Sequence, residues 1–277
     1  MILTFLLLVL LALVAGFIGA LFGLGGGIIL VPGLTLLFQK DVKVAVAASL
    51  ISVIATSSAA ATVYVAARFT NIRLGMLLEV ATTTGALLGA FLAVHVPGRY
   101  LFFAFAGVLV YAAVSMLRSR SASAEPTTVA APARSLSGSY YDPAAGTNIS
   151  YVVTHVPAGM LGSLGAGVVS ALLGIGGGII KVPLMNAVMG IPLKAAIGTS
   201  NFTIGVTAAT GAIVFWANGH IDPYVAAPTA IGVLIGARIG TRVTGRARSR
   251  ALSLAFVVLV AVTAVQMFLR GFGIRIG

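Results

Sequence analysis

Apolar runs of about 18 residues or more recur along this chain, each long enough to cross a hydrocarbon layer about 30 Å thick. Short polar loops separate them. With 59% of its 277 residues hydrophobic and 8% charged, and a mean hydropathy of +1.11, the chain lacks the charge to cover a soluble domain of this length. Backbone groups in lipid must bond within their own segment, so spans of this kind are helices. The expected fold class is an all-α integral membrane protein, multi-pass in the cell membrane, with the lipid bilayer as a partner.

The net charge is +12, which in a soluble protein would suggest nucleic acid. Here Arg68, Arg73, Arg118, Arg120, Arg246, Arg248 and Arg250 fall in or beside short loops between apolar runs. That pattern is a topology signal and needs no polyanionic partner. The absence of cysteine excludes disulfides, thiolate metal sites and cysteine nucleophiles. His95, His155 and His220 are too scattered for a metal site and fall near span ends. No catalytic residue, metal or cofactor is expected, and no enzyme. Met1 to Phe38 holds no Lys or Arg, whereas a cleaved signal begins with a positive region. The segment reads as a retained helix.

The chain repeats itself. Gly23-Leu24-Gly25-Gly26-Gly27-Ile28-Ile29-Leu30-Val31-Pro32 matches Gly174-Ile175-Gly176-Gly177-Gly178-Ile179-Ile180-Lys181-Val182-Pro183, 151 positions later. The same offset pairs Lys43 with Lys194, Ser49 with Ser200, Thr56 with Thr207, Gly85 with Gly236, Gly89 with Gly240 and Arg99 with Arg250. One gapless register over so long a stretch marks a duplication. The expected division is a first transmembrane repeat over 1–118, a polar linker outside the membrane over 119–153, and a second repeat over 154–277. Within the linker, the stretches around Tyr140 to Asp142 and Ile149 to Val153 suggest a short hairpin.

Each half holds about five helical segments, near 2–22, 26–38, 43–67, 74–95 and 99–117, then 155–173, 177–189, 194–217, 224–245 and 251–269. The second segment of each half is too short for a comfortable crossing. It begins at a triple glycine and contains a proline. Either it crosses with tilt, giving five crossings per half, or it is re-entrant, giving three. Both numbers are odd, so both readings invert the second half relative to the first. Ten basic residues (Arg68, Arg73, Arg118, Arg120, Arg134, Lys194, Arg242, Arg246, Arg248, Arg250) then gather on one side, against Lys40, Lys43, Arg99, Arg270 and Arg275 on the other. The first side is expected to be cytoplasmic, linker included, with both termini outside.

Inverted repeats are a common construction of secondary transporters, with the site near the midplane where helices break. The breaks here are the glycine runs. Three successive glycines weaken a helix by up to about 1 kcal/mol each. A nucleotide loop is the poorer reading, because neither the Lys-Ser/Thr of a P-loop nor a strand before a Rossmann turn is present. An unwound turn in the membrane should line a cavity, and its free N–H groups favour an anion. Gly25, Gly26, Gly27, Gly176, Gly177 and Gly178 are therefore candidate backbone donors. Gly85, Gly89, Gly236 and Gly240, spaced four apart, read as helix packing.

Charges inside spans default to function. Lys181, whose counterpart is Leu30, faces an anion or pairs structurally. Arg238, whose counterpart is Leu87, offers countercharge or snorkels. Glu79 pairs with a base or takes up a proton. Ser49, Thr199, Ser200 and Asn201 are candidate side-chain donors to an anion, Asn201 foremost.

The twin G-x-G-G-G-I-I-x-V-P motifs, Ala196-Ile197-Gly198-Thr199-Ser200-Asn201-Phe202 and Gly219-His220-Ile221-Asp222 resemble the sulfite exporter TauE/SafE family, also called the TSUP family. The resemblance covers nearly the whole chain except the linker. It implies transport of sulfite, sulfoacetate, thiosulfate or another small anion, with the two glycine motifs and the Thr-Ser-Asn segment as substrate contacts. In the first half Ala48-Ser49-Leu50 stands where Thr199-Ser200-Asn201 stands in the second, so unequal participation of the halves is expected. The function expected is a secondary transporter of a small anion, driven by alternating access and open to proton coupling through Glu79. The alternatives are an anion channel or a membrane subunit without transport of its own. A homo-oligomer is compatible with the chain.

Overall fold

The computed structural model describes residues 2–118, 136–142, 146–243 and 250–274. Ten helices and one hairpin make up these residues: α1 Ile2–Phe22, α2 Gly27–Pro32, α3 Val42–Ala66, α4 Ile72–His95, α5 Gly98–Arg118, the hairpin β1 Gly138–Asp142 and β2 Thr147–Tyr151, α6 Val156–Leu173, α7 Gly178–Pro183, α8 Leu193–Ala217, α9 Pro223–Val243 and α10 Arg250–Gly271. Six of them (α1, α3, α4, α6, α8 and α9) are long and apolar enough to cross a membrane, and the fold is all-α apart from the hairpin. The side chains of Arg118, Arg120, Arg134, Arg246, Arg248, Arg250 and Arg275 lie outside the described residues, as does most of the expected linker.

The outer surface carries what a water-soluble protein would bury. Ile2, Phe91, Trp216 and Val265 are all more than half exposed, which is the surface lipid solvates. The interior is built of small residues that let backbones approach. Added Cβ atoms on Gly85 and Gly89 would overlap the carbonyl oxygens of Leu164 and Val168 on α6. Those on Gly236 and Gly240 would press on the carbonyls of Leu13 and Phe17 on α1. Leu164 and Val168 are themselves Leu13 and Phe17 displaced by 151 positions. Contacts made by the first half on the second are thus returned by the second on the first, as in a self-complementary interface.

Helices α3 and α8 cross at the centre. Leu50 packs on Gly211 and Ser57 on Gly205, so the numbers rise along one helix as they fall along the other: the two copies run antiparallel. Helices α5 and α10 do likewise, with Phe103 near the start of α5 edge-to-face with Phe268 in the last turn of α10 and with Phe272 just beyond it.

The short helices follow from their sequence. Gly23, Gly25 and Gly26, and in turn Gly174, Gly176 and Gly177, all have φ between 70° and 84°, a conformation that strains any residue with a Cβ. Each run therefore stops one helix and opens another. Pro32 and Pro183 lack the N–H that the ladder needs, and each is followed by a π turn, Gly33–Leu37 and Leu184–Val188. Each short helix with its π turn spans 11 residues, about 16 Å, half a hydrocarbon layer.

Candidate functional site

The two glycine turns meet. A Cβ on Gly27 would overlap the Gly174 carbonyl oxygen, and one on Gly178 would overlap that of Gly23. Ser49 Oγ donates to Gly174 O at 2.7 Å, and Ser200 Oγ to Gly23 O at 3.5 Å. The Cβ positions of Gly25 and Gly176 both lie against Val53, and that of Gly25 also against Ile204. Val53 and Ile204 stand next to the middles of the 25-residue helices α3 and α8. Both turns are thus about 18 Å from either end of the central helices. Among the described residues, no acceptor takes the N–H groups of Gly25, Gly26, Gly176 or Gly177. Buried N–H groups without partners are rare and call for water or a ligand. Ser52 Oγ, Ser170 Oγ and Asn201 Oδ1 are also buried without a partner.

One turn of helix beyond the second glycine run, Lys181 is 1% exposed. Its Nζ lies 2.9 Å from Glu79 Oε2 and donates to Thr203 Oγ1 at 2.9 Å. Glu79 Oε1 accepts from Thr207 at 2.5 Å and from Thr83 at 3.3 Å. The two charges read separately in the sequence therefore form one network across α4, α7 and α8. The counterparts of Glu79 and Lys181 are Ala230 and Leu30, so the repeat-related position holds no such pair.

Other candidates divide. Thr199 Oγ1 accepts from the Asn71 backbone N–H at 2.9 Å, tying the loop before α4 to α8. Asn201 turns its amide N–H to Ile197 O at 3.1 Å instead of leaving both hydrogens for a ligand. Arg238 is exposed on α9 between exposed Ile235 and Ile239, because Gly236 and Gly240 turn the opposite face to α1. Three contributors are missing from the sequence-based candidates. Thr203 and Thr207 continue the face of Thr199 along α8 at four-residue spacing. Ser57, whose counterpart is Ala208, donates to Asn201 O at 2.5 Å and accepts from Gly205 N–H at 3.0 Å. The asymmetry of Ser57 with its counterpart was the signal available. Among the described residues no group of three or more His, Asp or Glu could hold a metal.

The two ends of the molecule differ. At one end the hairpin packs over α4 and α8: Tyr140, Tyr151 and Val153 join Leu74, Leu78, Met189 and Ile191 in one buried cluster. Lys194 grips Asp142 at 2.6 Å, and Asn71 Nδ2 donates to Leu136 O at 2.9 Å. Burial, followed by the charge of Asp142, pushes the Tyr140 phenol up to about 12. Burial also raises that of Tyr151, against a hydrogen bond from Asn71 that lowers it. At the other end a cavity of about 640 Å³ stays open, lined among others by Lys40, Asp41, Arg99 and Arg270. Arg270 there donates to Thr35 O and Gln39 Oε1.

A family model described as sulfite exporter TauE/SafE matches residues 8–267. The chain is 29% identical over 226 residues to the probable membrane transporter protein YunE of Bacillus subtilis (strain 168), covering 79% of this chain and 81% of that one. It is 26% identical over 230 residues to the probable membrane transporter protein YdhB of the same organism, covering 83% and 84%. No solved structure matches.

Proposed function

The chain belongs to the sulfite exporter TauE/SafE family of membrane transporters, and from that premise we propose that it is a secondary transporter of a small sulfur-containing anion: sulfite, sulfoacetate, thiosulfate or another organosulfonate. The observation that carries the proposal is the meeting of the two glycine turns, level with the middles of α3 and α8, with unpartnered N–H groups on each. Backbone donors held in place cost no reorganisation when an anion arrives.

Alternating access is supported by the returned contacts between the halves. A two-fold axis along the membrane normal would leave copies parallel. Helices α3 and α8 are antiparallel copies in contact, as an axis in the membrane plane requires. The halves are then inverted, and each outward-open arrangement has an inward-open counterpart. In this reading Gly25 to Gly27, Gly176 to Gly178, Thr199, Ser200 and Asn201 offer hydrogen bonds to the anion, Ser49 holds the second glycine turn through Gly174 O, Lys181 offers countercharge and Glu79 carries a proton. Arg238 takes no part. The hairpin end, with Arg68, Arg73 and Lys194, faces the cytoplasm and both termini lie outside.

Flux into liposomes of sulfite, thiosulfate, sulfoacetate and sulfate, with and without a pH gradient, tests the proposal. Saturable uptake of a sulfur anion, driven uphill, is the expected result. Flux that never runs uphill would mean a channel, and no flux of any of the four would mean a subunit that needs a partner.

A further inference from the structure

Of the three ion pairs among the described residues, only Glu79–Lys181 is buried at both ends, the others exposing about a third of at least one partner. We infer that a transported anion and the Glu79 carboxylate compete for Lys181, so that each anion enters with one proton on Glu79. The inference rests on the anion-transport reading and deepens it.

The physical reason is electroneutrality in a medium of low dielectric. An uncompensated charge at such depth is far costlier than a paired one. The empty site is neutral, with Lys181 and Glu79 balancing each other at 2.9 Å. An anion arriving while Glu79 is ionised would leave one surplus negative charge. Among the described residues of the helices around the pair, no second cation stands near to absorb it. Helix α6, packed along α4, carries no charged residue. Helix α8 has Lys194 in its first turn only, held by Asp142. Arg73 and His95 lie at the two ends of α4, and α7 has Lys181 alone. A proton taken from water onto a Glu79 oxygen removes the surplus. Lys181 then has the anion as its partner, and the neutral carboxyl keeps the threonine hydroxyls of Thr207 and Thr83 as hydrogen-bond partners. A monoanion thus crosses with one proton as a neutral load.

Calorimetry on the purified full-length protein tests this with methanesulfonate and with 2-hydroxyethanesulfonate, organosulfonates that carry one fixed negative charge between about pH 5.5 and 8. Wherever binding takes up about one proton per anion, the Kd should rise about tenfold per pH unit. In Glu79→Gln the slope and the proton uptake should vanish. In the double variant Lys181→Met/Glu79→Gln, which leaves no buried charge unpaired, binding should be at least about tenfold weaker than in Glu79→Gln at every pH. A pH-independent Kd in the wild type, or a slope retained in Glu79→Gln, overturns the coupling and leaves anion transport standing. Neither binding nor flux of any sulfur anion overturns both. Should Glu79→Gln fail to fold, the proton count of the wild type alone decides.

Discussion

The two glycine turns share their backbone and differ in the side chains one helical turn beyond it. Both run through the same left-handed glycines, both open a six-residue helix that ends in proline, and each presses on the other's carbonyl. Yet the residue at the next turn is Leu30 in one and Lys181 in the other, and only Lys181 has a carboxylate to meet. Backbone contacts at the junction tolerate no side chain, so they hold both copies to glycine. Side chains further out answer only to their own neighbours. The result is a symmetric scaffold with its charge on one side.

The strongest way to break this comparison is at the shared junction. Gly27→Ala and Gly178→Ala should each cost more than about 3 kcal/mol, because the new methyl meets a carbonyl held by backbone on both sides. Gly107→Ala, where a Cβ meets nothing within 4 Å, should leave the thermal midpoint in detergent unchanged or higher. Equal tolerance at all three positions would deny that the turns touch.

Making the second turn resemble the first is the next test. Lys181→Leu copies Leu30 and strands Glu79, which is 6% exposed. A loss of about 3–5 kcal/mol is expected. The double variant Lys181→Met/Glu79→Gln should be clearly more stable than that single one, measured by unfolding in the same detergent. A double variant as weak as the single one would assign the loss to packing.

A smaller asymmetry lies in the two serines. Ser49 reaches its carbonyl at 2.7 Å and Ser200 at 3.5 Å. Ser49→Ala should cost about 1–2 kcal/mol and Ser200→Ala less than about 0.5 kcal/mol. Equal losses would mean that the turns are more alike than the distances say.

The smallest effects belong to the hairpin end. Lys194 is 37% exposed, so solvent screens the pair and Asp142→Asn should cost under about 1 kcal/mol, visible as faster amide exchange in the hairpin alone. A raised phenol favours the folded state while protonated. The hairpin's docking is therefore intact below about pH 10 and weakens as pH climbs toward about 12, where the unfolded phenol is already ionised. Near-ultraviolet absorbance should show a late tyrosine ionisation whose amplitude Tyr140→Phe reduces.

Much of the fold was legible along the chain. The segments expected near 43–67 and 194–217 are the helices Val42–Ala66 and Leu193–Ala217, because long apolar runs between loop residues leave few alternatives. The hairpin fell where turn residues flank tyrosines, although its strands begin two residues earlier than expected, at Gly138 and Thr147. The glycine runs broke their helices because three glycines and a proline permit little else. The site was less legible. Glu79 and Lys181 stood out only as separate charges, and Arg238 stood beside them as a third.

The sequence by itself determined how many segments there are, where they break, and that one half copies the other, since these depend on hydropathy, glycine and register along the chain. Only the tertiary structure decided that Glu79 meets Lys181 across 102 positions and that Arg238 points outward. Spacing along a helix sets which face a residue occupies. Which neighbour covers that face depends on how α4, α7 and α8 pack, and packing is a property of surfaces far apart in the chain.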